Sequence, residues 1–296
     1  MLSLAIPNFN GGRFLATTLE SLENNRPYVR WRFQDAGSTD DSLAIARRFA
    51  GSQDQIIVEP DRGQADALNR AFQSMGGEIV GFINSDDCLM EGTAKTVLAE
   101  FENDPTLDLV YGQVAWIDEL GHVTGHHAGD ISSLAEILDI YRVWWNRRQW
   151  VQPEVFWRRS LWERVGPFNT RYDLAFDYDY WVRCFQARAK VKSIPQILAK
   201  FRLHPGQKSS RAGEAANEIR NIVGDTLASG EVIPTRDRKR LETMISYDRY
   251  QSGQDDQQGT KRPSLARMLM RQPTWAFLPP VRQRIVRSAL RAFSAR

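Results

Sequence analysis

The stretch EIVGFINSDDCL, residues 78–89, decides how this 296-residue chain is read. Ile79, Val80, Phe82 and Ile83 form an apolar run of strand length that ends abruptly in Asn84, Ser85 and two adjacent carboxylates, Asp86 and Asp87. Such a run, bounded by turn residues, predicts a strand buried on both faces. Three similar runs precede it, LSLAIPN (2–8), VRWRFQD (29–35) and QIIVEP (55–60), separated by helix-length segments. Phe14, Leu15, Leu19 and Leu22 form one helical stripe, and Ala67, Leu68, Ala71, Phe72 and Met75 another. Ser38 and Asp41 predict a capped start for the helix between them.

The resulting βαβαβαβ order predicts an α/β fold with a mainly parallel central sheet and flanking helices. Ligands of open α/β sheets bind beyond the carboxyl ends of the strands. In this chain those positions hold Asn8 and Asn10, then Asp35, then Asp61, then Ser85, Asp86 and Asp87. Adjacent carboxylates repel unless a positive charge lies beside them or one keeps its proton. The Asp86-Asp87 pair therefore either flanks a divalent cation with oxygen ligands, or starts a turn and caps the next helix. No Gly-x-Gly-x-x-Gly follows the first strand and no P-loop occurs, which argues against dinucleotide and P-loop chemistry. His122, His126 and His127 lie among Gly121, Gly125 and Gly129, where an exposed hairpin is expected rather than a metal site.

Composition sets the remaining bounds. Hydrophobic residues make up 42% of the chain, enough for a sizeable core, and the two cysteines, Cys88 and Cys184, support neither a disulfide framework nor a zinc ribbon. A cytoplasmic protein is expected, with no signal peptide and no membrane-spanning stretch. Residues 261–296 carry nine Lys/Arg and no acid; the remaining 30 basic and 36 acidic residues leave −6 on the body. The segment SLARMLMRQPTWAFLPPVRQRIVRSALRAF suits an interfacial helix on anionic lipid, interrupted at Pro279-Pro280, or equally a solvated or subunit-contact helix. The chain lacks a basic groove for nucleic acid. A domain over 1–230 and a basic helical extension over 231–296 are expected, with a linker at 250–264.

Seven blocks in order carry a resemblance: LAIPNFNGGRFLATTLESL, QDAGSTDDSLAIA, EPDRGQADALNRAF, GFINSDDCL, VQPEVFWRRSLWERVGPF, FDYDYWVRC and FRLHPGQKS. Over residues 2 to about 210 the chain resembles family 2 glycosyltransferases with the GT-A fold. The resemblance implies inverting transfer of a sugar from a nucleotide donor, usually a UDP-sugar, with Mg²⁺ or Mn²⁺. It implies that Pro7, Asn8 and Phe9 line the nucleotide pocket, that Asp35 meets the base, and that Asp66 and Asn69 face the donor. Leu68 stands where many relatives have arginine. Ser85-Asp86-Asp87 matches the DXD site, with Asp87 the metal ligand and Ser85 and Asp86 nearer the donor's ribose or sugar. Asp177 matches the catalytic base, with Asp179 as the alternative. His204 matches a histidine that approaches the metal or the diphosphate, and Gln152 opens the block beside the sugar. Arg202 and Lys208 are placed to neutralise the leaving phosphates, and Trp144, Trp145, Trp150 and Trp157 either stack on an acceptor or belong to the core.

The expected partners are a nucleotide-sugar donor, a saccharide or lipid-linked acceptor and an anionic membrane face, with surface polysaccharide or glycolipid as product. Two other readings stay open: a sugar-nucleotide nucleotidyltransferase, which would want a Gly-rich basic loop where NFNGGR stands, and a non-catalytic nucleotide-sugar binding subunit.

Overall fold

The computed structural model describes residues 1–231, 233–252 and 265–294. The strands are β1 (Leu2–Asn8), β2 (Val29–Asp35), β3 (Gln55–Val58), β4 (Ile79–Phe82), β5 (Cys88–Leu89), β6 (Leu109–Ile117), β7 (Val123–Ala128), β8 (Val155–Arg158) and β9 (Val191–Arg202). The helices are α1 (Gly12–Glu23), α2 (Ser42–Phe49), α3 (Gln64–Ser74), α4 (Thr93–Asn103), α5 (Leu134–Ile137), α6 (Arg159–Val165), α7 (Phe176–Gln186), α8 (Ala212–Ala228), α9 (Thr235–Ser252), α10 (Leu265–Arg271) and α11 (Pro279–Ser294). All nine strands join one sheet in the order β3-β2-β1-β4-β8-β6-β9-β5, with β7 paired to β6. The first four are mutually parallel, whereas β8 runs antiparallel to both neighbours.

The chain winds outward from β1 through β2 to β3, then returns to place β4 on the other side of β1. This reversal opens a crevice beyond the carboxyl ends of β1 and β4, and the residues after those strands include Asn10 and Asp86-Asp87.

Side chains alternate across each strand, so the sheet divides the core in two. Leu2, Leu4 and Ile6 pack with Leu15, Leu19 and Val97 on the face of α1 and α4. Ala5, Val80 and Phe82 point the other way, onto Leu68 and Phe72 of α3 and a large aromatic cluster around Trp157, Phe168, Phe176 and Tyr180. Asn69 fastens α3 to that cluster. Its Nδ2 donates to Phe168 O (2.8 Å), and its Oδ1 accepts from Phe168 N (2.8 Å).

Several boundaries depart from expectation for identifiable reasons. Helix α2 starts at Ser42 without a side-chain cap, because Ser38 is held by Asp35 and Asn8 instead. Residues 131–141 form only a single helical turn, Leu134–Ile137, before a widened π turn at Tyr141–Trp145. The hairpin of β6 and β7 forms as expected, but His127 is buried and its Nε2 contacts Gln149 O (2.7 Å). His122 pairs with Asp118 instead, so the three histidines share no common ligand position.

The C-terminal helices are part of the packed body. Met268, Trp275, Leu278 and Val281 join the same core as α7, α8 and α9. Trp275 contacts Tyr247 and Tyr250 with ring centroids 5.5 and 4.9 Å away, and its indole N–H donates to Ser246 Oγ (2.9 Å). Residue 230 therefore marks no break in packing, and those four apolar residues face protein rather than lipid. Pro279 opens α11, the helix position that needs no backbone N–H. The expected linker lies, from residue 253 onward, outside the described residues.

Two measurements check this account. Trp275→Ala should lower the unfolding free energy by about 3–5 kcal/mol in denaturant titration; an unchanged midpoint would show that the C-terminal segment does not share the core. Asn69→Ala leaves the Phe168 peptide groups without partners and should destabilise by about 2–4 kcal/mol, with unaltered nucleotide affinity.

Candidate active site

An open cavity of about 1310 Å³ runs along the crevice beyond β1 and β4. Pro7, Asn8, Phe9, Ser85, Asp86, Asp87, Gln152, Asp177, His204 and Lys208 all border it, so the topology gathers residues spread over two hundred positions.

At its floor the exits of β1 and β4 touch. A Cβ on Gly11 would lie 2.3 Å from Ser85 Oγ and 2.4 Å from Asn8 Oδ1, so only glycine fits there. Thr18 of α1 donates to Ser85 O (3.0 Å), and Gln64 of α3 donates to Asn84 Oδ1 (2.7 Å). The turn carrying the carboxylates is thus held from both sides of the sheet.

Asp87 is 1% exposed. Its Oδ1 accepts from the Arg202 backbone N–H (3.0 Å) and its Oδ2 from Asn84 Nδ2 (3.3 Å). Burial, reinforced by the charge of Asp86, pushes its carboxyl well above the usual carboxylate range. Asp86 faces His204, with Oδ2 3.0 Å from Nε2. The His204 ring packs 4.9 Å from the Phe14 ring.

Arg202 has a different role from the one expected. Its guanidinium donates to the carbonyls of Asp86 (2.9 Å), Asp118 (3.0 Å) and Glu119 (3.2 Å) and lies 4.7 Å from the Phe14 ring centroid. Committed to backbone carbonyls and buried, it positions the acidic turn instead of meeting phosphate. Lys208 is bound to Asp173 through Oδ1 (2.6 Å) and O (2.9 Å).

These groups suit a hard divalent cation: two carboxylates, one buried against a like charge, and an imidazole beside them. Among the described residues no three His, Cys, Asp or Glu side chains converge as a complete set. Asp86, Asp87 and His204 therefore offer only part of a ligand set, the remainder of which substrate phosphate oxygens and water would have to supply.

Asp177 opens α7 on the cavity wall. Surrounding protein shields its carboxyl, and this desolvation pushes its pKa up to about 6 despite a hydrogen bond from the Tyr178 N–H (2.7 Å). Asp179, the alternative, does not border the cavity. It forms an ion pair with Arg183 (2.8 Å), which also ties the carbonyls of Val165 and Pro167 to α7. Glu218 escaped the sequence reading. From α8 it accepts hydrogen bonds from the backbone N–H groups of Asp173, Leu174 and Ala175 at 2.8–3.0 Å, fixing the loop that aims Asp177. Only its partners, more than forty positions away, reveal this.

Other expected residues lie just behind the cavity. Asp35 is fully buried, and its oxygens accept from Asn8 Nδ2 (2.7 Å), Ser38 Oγ (2.6 Å) and the N–H groups of Gly37 and Ser38. It orders the end of β1 against β2. Asp66 is held by Arg62 and Arg70, Asn69 is occupied by Phe168, and Leu68 is packed in the core. Gln152 donates to Phe82 O, leaving its buried Oε1 without a partner beside the cavity. Of the tryptophans, Trp157 is wholly core, whereas Trp144, Trp145 and Trp150 border the cavity.

Comparison with known proteins agrees with this geometry. Residues 3–176 match the family Glycosyl transferase family 2. A PGL/p-HBAD biosynthesis glycosyltransferase of Mycobacterium bovis is 31% identical over 204 residues, covering 67% of this chain and 75% of that protein. Among solved structures, residues 1–349 of S. aureus TarS in complex with UDP-GlcNAc superpose with a TM-score of 0.67 at 16% identity, covering 93% of this chain and 78% of that one. A Pyrobaculum calidifontis mannosyltransferase in complex with GDP-Man and Mn²⁺ gives 0.60 at 17% identity, covering 95% and 82%. A mainly parallel sheet with its acidic turn at the strand reversal, and a family match spanning more than half the sequence, lead to one assignment: the chain belongs to glycosyl transferase family 2 and is a glycosyltransferase of the GT-A fold.

Proposed function

We propose that the protein transfers a sugar from a UDP-sugar to a hydroxyl of a saccharide or lipid-linked acceptor, with inversion at the anomeric carbon. The observation that carries this reading is the placement of Asp177, a shielded carboxyl raised to about 6, on the wall of the cavity that also holds Asp86 and Asp87. Asp177 takes the proton of the acceptor hydroxyl as its oxygen bonds to the anomeric carbon from the side opposite the diphosphate. The bond from that carbon to the diphosphate oxygen breaks, and its electron pair leaves with the nucleotide. Pro7, Asn8 and Phe9 line the nucleotide end, with Asp35 behind them ordering that wall. Ser85 and Asp86 meet the ribose or sugar. Asp87 and His204 would hold a Mn²⁺ or Mg²⁺ ion, which when bound would supply positive charge against the leaving diphosphate. The UDP-GlcNAc complex of TarS and the GDP-Man and Mn²⁺ complex of the archaeal mannosyltransferase, both of this fold, support the donor and metal classes.

A role in surface polysaccharide or glycolipid synthesis, at the cytoplasmic face of a membrane, fits the C-terminal segment. Among the described residues no helix is long and apolar enough to cross a bilayer. Met270, Phe277 and Val286 are nevertheless 77%, 75% and 56% exposed on a segment with nine basic residues and no acid. Apolar groups set among arginines suit docking to anionic lipid. The PGL/p-HBAD biosynthesis relatives add weight to a glycolipid product.

Nucleoside diphosphate release from UDP-sugars with Mn²⁺ and an acceptor panel tests the reaction. Asp177→Asn should abolish transfer while keeping donor affinity; undiminished turnover would remove Asp177 as base. The wild-type rate should rise about tenfold per pH unit up to roughly pH 6 and level off above it. Because the folded state raises this carboxyl above its unfolded value of about 3.9, the charge is a burden on folding above pH 6 and absent below pH 4. Asp177→Asn should therefore stabilise at pH 8 and leave stability unchanged at pH 3.5. For the membrane contact, Met270→Asp with Phe277→Asp should release the protein from phosphatidylglycerol vesicles in sedimentation; retained binding would refute that contact.

A further inference from the structure

The cavity exceeds the 300–1,000 Å³ of ordinary small-molecule sites. Besides Asp86-Asp87 and Asp177, its lining includes an arm of residues from the π turn and α8. We propose that this arm, walled by Ile140, Trp144, Trp145, Ala215, Ala216 and Ile219, binds an uncharged aromatic or alkyl portion of the acceptor. The proposal rests on the glycosyl-transfer reading above and names the acceptor class that the same site takes.

The chemistry of the walls supports it. The charged side chains bordering this arm, Arg220 of α8 and Asp248 of α9, pair with each other, and Arg220 also donates to Asn217 Oδ1 (2.8 Å). The arm is therefore neutral, unlike the donor end with its acids and imidazole. A charged or strongly hydroxylated ligand would lose hydration there without regaining partners, whereas an apolar one loses nothing.

Trp145 is 49% exposed although it belongs to a cavity wall. Trp144 turns the edge of its ring toward Tyr178 (5.5 Å). On the facing helix, Ala215 and Ala216 keep the arm open where larger side chains would fill it. Asp177 lines the same cavity, so an acceptor anchored here would present its hydroxyl to that carboxylate.

Isothermal titration of phenyl, n-octyl and methyl β-glucoside, each below its micellar concentration, tests the arm independently of turnover. The phenyl and octyl compounds should bind at least about tenfold more tightly than the methyl compound. Ala216→Trp, which fills the arm, and Trp145→Ala, which changes a half-exposed residue, should each remove at least about tenfold of that preference while UDP affinity with Mn²⁺ is retained. Equal affinity for the three glucosides, absence of binding by the apolar pair, or preference undiminished in both variants would overturn the proposal. Loss of UDP binding by the wild-type protein would instead overturn the donor assignment, and the glucoside comparison would still decide the arm.

Discussion

Asp87 is a carboxylate in nearly complete burial beside a second carboxylate, and the arrangement around it governs the rest of the site. Burial and like charge both disfavour its ionised form. The structure answers with a backbone N–H from the end of β9, an amide from Asn84, and an arginine that grips the carbonyls on either side. These contacts require β9 to reach the exit of β4 although more than a hundred residues separate them. Short β5 makes this possible by pairing Cys88 and Leu89 with Lys200 and Ala199. The acidic turn, the end of β9 and His204 are consequently one mechanical unit.

A second unit aims Asp177. Glu218 of α8 holds the loop before α7, Asp179 and Arg183 tie α7 to the segment after α6, and Asn69 anchors the same segment at Phe168. None of these residues needs to touch a substrate. Each removes a degree of freedom from the wall that carries Asp177, and rigid support of this kind is what holds a group in place within a site. Asp177 is kept partly desolvated there, which raises its proton affinity.

The same view explains which residues the sequence misplaced. Asp66, Asn69 and Arg202 carry polar groups in the expected blocks, but their hydrogen bonds go to Arg62 and Arg70, to Phe168, and to three backbone carbonyls. A polar residue in a motif shows that a polar group is needed near the site; its partner, set by packing, decides whether it faces ligand or scaffold. The basic tail was legible only in part for a related reason. Its alternation of apolar and basic residues is the same for a helix packed on protein and one lying on lipid, and burial of Met268, Trp275, Leu278 and Val281 shows that protein takes part of that face.

By itself the sequence determined the four parallel strands, the helices between them and the place where their exits gather acids. Period-two and period-3.6 hydrophobicity is a local property that survives without tertiary knowledge. It also marked Asp86, Asp87, Asp177 and His204, since each ends or opens an element whose pattern is plain. Tertiary structure alone decided that β8 inserts between β4 and β6, that Glu218 and Arg202 serve as braces, and that residues of the π turn and α8 line the same cavity as Asp177. Those outcomes depend on pairings across forty to more than a hundred residues, fixed by packing energy summed over the whole core rather than by any local pattern.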